Sequence, residues 1–167
     1  PLIRHIASFK KPIILSTGMN SIESIKESVK IIEDAEIDYG LLECTNLYPS
    51  PPNIVSLKGI NELKKSFPKA TIGFSDHSIG PTIALAAVAL GATIIERHFT
   101  DTMERKGPDI ECSMDPKALN DLIIGSQIIF SAKGDHKGPV PEESSIMSFA
   151  FASVVAISDI QEGERIS

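Results

Sequence analysis

Residues 92 to 99 read ATIIERHF, and this stretch decides the fold because it joins a buried strand to a run of polar residues. Residues 92 to 95 have the continuous apolar character of a strand covered on both faces, which is typical of a parallel sheet. Glu96, Arg97 and His98 then follow in a row. Burying an unpaired charge is costly, so three polar side chains at this strand end require partners or a ligand.

The pattern of strand, loop and helix occurs four times along the chain. Strands are predicted at residues 11–16, 40–46, 70–77 and 92–99. A helical pattern follows each of them, near residues 54–66 for the second, and the fourth helix is capped by Asp115 with Pro116 at its first position. Strands that alternate with helices predict a parallel sheet and an α/β fold.

Two parallel architectures fit this pattern, an open doubly wound sheet and part of a TIM (β/α)8 barrel. No G-x-G-x-x-G follows any strand, which weighs against a dinucleotide-binding fold. The unusual polar residues instead follow the strands, at 16–17, 44–46, 75–77 and 96–98. Barrel enzymes place their chemistry at these strand ends. Residues 1–132 are therefore predicted to be the second half of a barrel, with four βα units.

The character of the chain changes after Lys133. Residues 133–148 are polar and rich in turn residues, which predicts a linker. Residues 149–167 alternate apolar and small residues before a glycine turn, like the first strands of a separate β-rich domain. The sequence lacks an initial methionine and stops soon after this turn, so we interpret it as a piece of a longer protein.

Composition excludes several classes of partner. The formal net charge is −6 with no cluster of lysine or arginine, so nucleic acid is not expected, whereas an anionic small molecule is compatible. The apolar run at residues 83–95 is shorter than the ~18 residues that a membrane span needs. Cys44 and Cys112 form neither a metal-type spacing nor a disulfide framework, which suits the cytoplasm.

Two histidines end adjacent predicted strands. His77 and His98 follow the third and fourth strands, whose ends converge in a barrel. Imidazole is a common ligand of divalent metals, so the pair predicts a site in which both residues hold one ion. Alternatively, each is a hydrogen-bonded residue lining the barrel mouth. By strand alternation Glu96 shares the face of His98, where it either orients a ligand or forms a structural ion pair.

Four further residues are candidates for substrate binding. Asn46 and Ser75 can donate hydrogen bonds to phosphate or carboxylate oxygens, although both residue types also end strands as turn formers. Tyr48 lies in a proline-rich loop and either contacts a ligand or packs on the barrel rim. Asp109 follows a Gly-Pro turn and presents a carboxylate suited to binding hydroxyl groups, whereas exposed loop aspartates usually have no such role.

Five segments carry a resemblance to a known family, namely ILSTGMNS, CTNLYPSPP, GFSDHSIG, ALGATIIERHFTD and KGPDIECSMDP. In this order and spacing, the chain resembles the N-acetylneuraminate (sialic acid) synthase family across essentially all 167 residues. The segment FAFASVVAISDIQEGE is similar to the start of that family's C-terminal antifreeze-like (SAF) domain.

The resemblance implies a transferase that condenses phosphoenolpyruvate with an N-acetylated amino sugar, N-acetylmannosamine in the type case. It implies a divalent metal, Mn²⁺ first and Mg²⁺ or Co²⁺ as alternatives, and a domain-swapped homodimer. The family's pattern assigns the metal to His77 and His98, phosphoenolpyruvate to Asn46 and Ser75, and the sugar to Tyr48, Asp109 and Phe149.

The sequence departs from the family's pattern in two respects. The first four strands, which in the family carry an acidic residue near the metal and lysines for the phosphate, are absent. The chain alone is therefore expected to be inactive and to aggregate, dimerise through its open sheet edges or stay partly molten. Glu43 stands where many members have histidine. Legionaminic or pseudaminic acid synthesis and a non-catalytic remnant, which only associates with a partner or binds a sugar phosphate, remain the alternative functions.

Overall fold

A four-stranded parallel sheet forms the centre of the computed structural model, which describes residues 2 to 165. Its strands are β1 (Ile13–Ser16), β2 (Tyr39–Cys44), β3 (Thr71–Asp76) and β4 (Ile94–Arg97). The helices are α1 (Leu2–Ala7), α2 (Ile22–Asp34), α3 (Lys58–Ser66), α4 (Thr82–Ala89), α5 (Pro116–Ala132) and α6 (Ser144–Ala150). The strands pair in sequential order, β1-β2-β3-β4, and every pair is parallel. The α/β prediction is confirmed.

The sheet has two different faces. Side chains alternate along each strand, so Leu41, Phe74 and Ile95 point to one side, which we call the outer face. They belong to the core that the sheet forms with the helices. The alternate residues of the strands form the inner face, and these include Ile14, Leu42, Cys44, Ser75 and Glu96.

Helices α2, α3 and α4 cover the outer face. The buried residues of this core are Ile25, Val29, Ile32, Tyr39, Leu41, Ile60, Leu63, Phe67, Ile72, Phe74, Ala87 and Ala92. On α2 the spacing of three and four residues brings Ile25, Val29 and Ile32 onto one side of the helix. Full burial of each large aliphatic side chain contributes about 1.5–3 kcal/mol relative to exposure, so this core holds the sheet in place.

The helix boundaries differ from the predictions in two places. The second helix was predicted near residues 54–66, but α3 begins only at Lys58, after a 3₁₀ turn at Pro52–Ile54. Prolines at 49, 51 and 52 favour extended and turn backbone, which delays the helix. Helix α1 was not predicted. The predicted cap of α5 is confirmed, since Asp115 Oδ1 accepts from Ala118 N at 2.8 Å.

An apolar groove of about 830 Å³ runs between β4 and α5. Ile95, Met114 and Leu122 lie along it, and Phe130 of α5 is 73% exposed at its side. The groove follows the edge strand β4, and Glu96 and Arg97 at the end of that strand line it as well. In the described part of the chain, no helix is both long and apolar enough to cross a membrane.

The chain divides into two units, with the boundary between residues 133 and 134. The second unit contains a 3₁₀ turn at Pro141–Glu143 and helix α6, so part of the predicted linker at 133–148 is helical. The strands predicted after residue 149 are not present among residues 149–165, and residues 166 and 167 lie outside the described part. A strand pair alone is marginally stable and needs further strands to form a sheet. Assignment of residues 149–167 to an antifreeze-like domain stays a prediction.

Candidate active site

The two predicted histidines meet at the ends of adjacent strands. His77 follows β3 and His98 follows β4, and the centroids of their rings are 5.3 Å apart at an interplanar angle of 78°. His77 is 4% exposed, whereas the His98 side chain is 30% exposed. Pairing of β3 with β4 fixes this approach, because Ser75 and Asp76 lie opposite Glu96 and Arg97 in the register.

A backbone carbonyl orients the His77 ring. His77 Nδ1 lies 2.9 Å from the carbonyl oxygen of Thr45, and a carbonyl can only accept, so Nδ1 must donate its hydrogen. In the neutral ring this leaves the lone pair on Nε2, which has no partner among the described residues. The His77 backbone is fixed as well, because its carbonyl accepts from Ser50 N at 2.9 Å. His77 is therefore prepared to bind a cation through Nε2.

A loop carboxylate faces His98. His98 Nδ1 is 3.8 Å from Asp109 Oδ2, which is too long for a hydrogen bond but close enough for attraction to a protonated ring. The loop that carries Asp109 is tied to β4, because Met114 N donates to the His98 carbonyl at 2.9 Å. Asp109 itself has a φ of 64°, and its carbonyl accepts from Ser113 Oγ at 2.7 Å.

Tyr48 packs against both histidines. Its ring centroid is 4.1 Å from that of His77 and 5.6 Å from that of His98. Ser50 holds the loop, since its hydroxyl donates to the carbonyls of Thr45 and Leu47. Burial, followed by the negative groups around it, raises the pKa of the Tyr48 phenol, so the hydroxyl keeps its hydrogen and can donate it.

Asn46 and Ser75 differ in what they have free to offer a ligand. Asn46 Oδ1 accepts from Cys44 Sγ at 3.2 Å, and its Nδ2 has no acceptor among the described residues. Ser75 Oγ donates to Glu96 Oε2 at 2.5 Å, so its only hydrogen is already committed. Asn46 is thus a ready donor, whereas Ser75 can donate to an anion only after leaving Glu96. Glu96 has no ion pair with a described cation.

Six of the seven candidate residues lie in one region at the strand ends. They are Asn46, Tyr48, Ser75, His77, His98 and Asp109. Phe149 belongs to the second unit, where it lies on α6 and is 93% exposed. Its contact with the sugar stays a prediction.

The residues that precede the two histidines form a buried ion pair, which was not predicted from the sequence. Arg97 Nη1 lies 3.4 Å from Asp76 Oδ2, and both side chains are 1% exposed. Arg97 also donates to the carbonyls of Gly80 and Ser78, the residues that follow His77. Asp76 Oδ1 accepts from Ser78 N at 2.9 Å, although its Oδ2 has no directed hydrogen bond. Strand alternation was the available signal, since Asp76 and Arg97 each precede a histidine and so face the other way.

Glu43 lies on the outer face, away from the histidines. The carboxylate of Glu43 occupies the space in which a Cβ on Gly59 of α3 would stand. Glycine at position 59 therefore leaves room for it. Burial, and then the charge of Glu62, raise the pKa of Glu43 to about 7. A substitution of Glu43 would therefore act on the packing of β2 against α3.

Two nitrogen ligands are what the described residues offer a metal ion. No group of three or more His, Cys, Asp or Glu side chains in residues 2–165 could hold one. The orientation of His77 nevertheless fits a cation, since its Nδ1 hydrogen points to an acceptor and leaves Nε2 free.

These features define a class, namely a parallel α/β half-barrel with a polar site at the carboxyl ends of its strands. The NeuB family model matches residues 1–138, and the chain belongs to the NeuB family of sugar-acid synthases.

Named relatives and a solved structure agree with this assignment. N,N'-diacetyllegionaminic acid synthase of Campylobacter jejuni is 40% identical over 171 residues, which cover 100% of this chain and 51% of that protein. N-acetylneuraminate-9-phosphate synthase of Homo sapiens is 35% identical over 164 residues, covering 98% of this chain and 46% of that protein. A crystal structure of N-acetylneuraminic acid synthetase from Leptospira borgpetersenii, in complex with citrate, matches with a TM-score of 0.82 and 34% identity, covering 89% of this chain and 52% of that one. The chain thus spans about half the length of these relatives.

Proposed function

We propose that this chain is part of an enzyme that condenses phosphoenolpyruvate with N-acetylmannosamine to give N-acetylneuraminate and phosphate. The observation that carries the proposal is the His77–His98 pair, with Tyr48 against both rings and Asp109 beside His98. Membership of the NeuB family supports it. We use the name full-length synthase for this chain joined to the remaining half of a typical family member.

His77 and His98 would hold a divalent ion, Mn²⁺ by preference, with Mg²⁺ or Co²⁺ as alternatives. When bound, such an ion would supply Lewis-acid polarisation of the open-chain sugar aldehyde. His77 would bind through Nε2, because Thr45 keeps the hydrogen on Nδ1. The other ligand positions would be filled by water, substrate or residues outside this chain, since the described residues offer no third side chain of the usual types.

The remaining residues would bind and orient the two substrates. Asn46 Nδ2 is free to donate to an oxygen of phosphoenolpyruvate, and Ser75 would do so on release from Glu96. Donors placed around the phosphate stabilise the charge that moves there as the bond breaks. Tyr48, Asp109 and Phe149 would contact the sugar, Tyr48 through its protonated phenol and Asp109 through its carboxylate.

The bond changes balance with water as the third reactant. Carbon 3 of phosphoenolpyruvate forms the new bond to the aldehyde carbon of the sugar. The oxygen of a water molecule adds at carbon 2. The bond between carbon 2 and the oxygen that carries the phosphoryl group then breaks, so that inorganic phosphate leaves. Protons from water pass to the new sugar hydroxyl and to phosphate.

A second acceptor has specific support. The Campylobacter jejuni legionaminic acid synthase is 40% identical to the chain, against 35% for the human enzyme. An acetamido sugar leading to legionaminic acid, or the one leading to pseudaminic acid, is therefore the alternative substrate. A domain-swapped homodimer and a cytoplasmic location belong to the same proposal, and the free, buried Cys44 and Cys112 fit a reducing compartment.

Phosphate release by the full-length synthase tests the proposal. The purified protein, stripped of metal and then supplied with Mn²⁺, is given phosphoenolpyruvate and each acceptor in turn, with the products identified by mass spectrometry. We expect metal-dependent phosphate release with one acceptor and a nine-carbon product from N-acetylmannosamine. Release with only a legionaminic-type acceptor would change the substrate, and no release with any acceptor would favour a non-catalytic remnant.

A further inference from the structure

Gly18, in the loop between β1 and α2, lies directly against the side chain of Asn46. A Cβ atom on Gly18 would stand 1.6 Å from Asn46 Oδ1 and 2.7 Å from Asn46 Cγ, far inside van der Waals contact. Gly80 and Gly91 need glycine because their φ is positive, but Gly18 is not among the residues with positive φ. Space, and not backbone conformation, is what requires glycine at position 18.

The loop that carries Gly18 cannot move away without losing hydrogen bonds. Thr17 is 5% exposed, and both its backbone N and its Oγ1 donate to the Leu42 carbonyl, at 3.0 and 2.8 Å. Asn20 Nδ2 donates to the Gly18 carbonyl at 2.8 Å. The loop is therefore fixed to β2 on one side and closed by Asn20 on the other, so Gly18 presents a rigid surface to Asn46.

Cys44 fixes the same amide from another side. It is 8% exposed, and its Sγ donates to Asn46 Oδ1 at 3.2 Å. The same sulfur lies 3.2 Å from the point where a Cβ on Gly18 would stand. The amide oxygen is thus enclosed between Gly18 and Cys44, and the amide nitrogen is turned to the other side, where both of its hydrogens are free.

We propose that Gly18 and Cys44 are positioning residues that hold the Asn46 amide so that Nδ2 points at a carboxylate or phosphate oxygen of the bound substrate. The inference rests on the proposed function, in which Asn46 binds phosphoenolpyruvate. A donor held in its binding orientation loses little conformational freedom when the anion arrives, which strengthens binding. Neither residue touches the substrate; each acts through Asn46.

The proposal separates anion binding from metal binding. Gly18→Ala displaces the amide, so we expect the KM for phosphoenolpyruvate to rise about tenfold, the usual size for one hydrogen bond to a charged group. The three atoms nearest to a Cβ on Gly18 belong to Asn46 and Cys44, and none belongs to the groups that orient the histidines, the Thr45 carbonyl and Asp109. Mn²⁺ affinity, followed by the electron paramagnetic resonance signal of free Mn²⁺, should therefore stay within about twofold of the parent.

A double-mutant cycle in the full-length synthase gives the decisive test. The variants are Gly18→Ala, Asn46→Ala and the pair, and the KM for phosphoenolpyruvate and the thermal unfolding midpoint are measured for each. With Asn46 already truncated, the severe collision of Gly18→Ala is gone and only the Cys44 sulfur, 3.2 Å from the new Cβ, stays close, so the substitution should add little further change in either quantity. An equal tenfold rise in the Asn46→Ala background would overturn the proposal, as would an unchanged KM in the single Gly18→Ala variant while Asn46→Ala raises it.

A matched control variant and the unfolding midpoints distinguish two hypotheses, substrate binding by Asn46 and positioning of Asn46 by Gly18 and Cys44. Gly125→Ala on α5 also crowds a neighbour, because it places a Cβ 2.9 Å from Leu85 Cδ2 of α4. It should leave the KM for phosphoenolpyruvate unchanged. If Asn46→Ala itself leaves that KM unchanged, the substrate role of Asn46 is wrong. Positioning is then judged by unfolding alone, where Asn46→Ala should restore the midpoint that Gly18→Ala lowers, and failure to do so overturns it.

Cys44 is tested by a conservative pair of substitutions. Cys44→Ser keeps a donor next to Asn46 Oδ1, whereas Cys44→Ala removes it. We expect Cys44→Ala to raise the KM for phosphoenolpyruvate severalfold more than Cys44→Ser. Mn²⁺ affinity is measured for both variants, because Cys44 Sγ also lies 4.0 Å from His77 Nδ1. Equal effects of the two substitutions would show that the sulfur only fills space and would remove Cys44 from the proposal.

Discussion

The two faces of the sheet use the same strands for different purposes. The outer face is mainly apolar and covered by helices, and its charged residues are Glu43 and the buried pair of Asp76 and Arg97. The inner face becomes polar toward the strand ends, where Cys44, Ser75 and Glu96 lie below the histidines. Residues one position apart thus contribute to stability or to the site according to the direction in which they point. Substitutions on the two faces should therefore affect different measurable quantities.

The largest expected effect is on the inner side. In the full-length synthase, His98→Ala removes one of two nitrogen ligands, and we expect turnover and Mn²⁺ affinity to fall by about 100-fold or more, with little change in the unfolding midpoint. Turnover is followed by phosphate release, and metal affinity by titration. His136→Ala is the control, since His136 lies exposed in the second unit beside Asp135. Normal metal-dependent activity of His98→Ala would contradict the metal assignment.

The outer face should respond in stability. Arg97→Met leaves Asp76 buried and unpaired, and we expect a loss of about 3–5 kcal/mol in the free energy of unfolding by urea. Arg105→Met breaks an ion pair with Asp101 that is 60% exposed on both sides and should change little. In the Asp76→Leu/Arg97→Met double variant, stability should return in part. Whatever is not recovered reflects the hydrogen bonds lost with the two side chains, those of Arg97 to the Ser78 and Gly80 carbonyls and that of Ser78 N to Asp76 Oδ1.

A smaller effect is expected for the loop carboxylate. Asp109→Asn keeps the shape but removes the charge, so we expect the KM for the acceptor sugar to rise about tenfold while that for phosphoenolpyruvate changes little. Initial rates measured with each substrate varied in turn give both values. A similar rise in both would assign Asp109 a structural role in the loop that follows β4.

The smallest effect is a pH-dependent one on the outer face. The pKa of Glu43 is raised to about 7, so the folded state holds this proton more tightly than the unfolded chain does. The stability that the proton confers is complete below the ordinary pKa of glutamate and is lost as the pH rises through about 7.

Glu43→Gln tests this, because glutamine stays neutral at every pH. Urea unfolding at about pH 4 and at about pH 8 should show the variant close to the parent at the lower pH, which lies below the ordinary pKa of glutamate, and more stable at the higher one. Glu62→Gln removes the neighbouring charge, which is the smaller cause of the raised Glu43 pKa, whereas burial is the larger one. In the Glu62→Gln background, the stability that Glu43→Gln adds at the higher pH should therefore shrink only in part. A variant that is no more stable at pH 8 would contradict the raised pKa.

The sequence was sufficient for the sheet and for most of the site. Apolar runs ending in polar residues predicted four strands and the edge at which His77 and His98 meet. What it could not reveal depends on atoms brought together from distant positions. The Thr45 carbonyl that orients His77 is a backbone group with no side-chain signal. The hydrogen bond from Ser75 to Glu96 depends on the register of β3 and β4.

The second unit shows the opposite case. Alternation of apolar residues after Phe149 predicted strands, because the pattern speaks only of local preference. Strands need partners to form a sheet, and the described residues 151–165 contain none. Helix α6 (Ser144–Ala150) ends near the start of that segment and lies mostly in the predicted linker, where no helix was predicted.

The sequential order of the strands has a consequence for how the chain folds. Each strand pairs with the next along the chain, as Ile13 does with Tyr39 and Gly73 with Ile94, so each pairing closes a loop of only roughly 20 to 30 residues. Contacts of this low order form quickly compared with those that join distant segments. His77 and His98 come together in the last of these closures, the docking of β4 on β3. The βα pairs can therefore assemble one after another during synthesis, and the two histidines can meet as soon as β4 has left the ribosome.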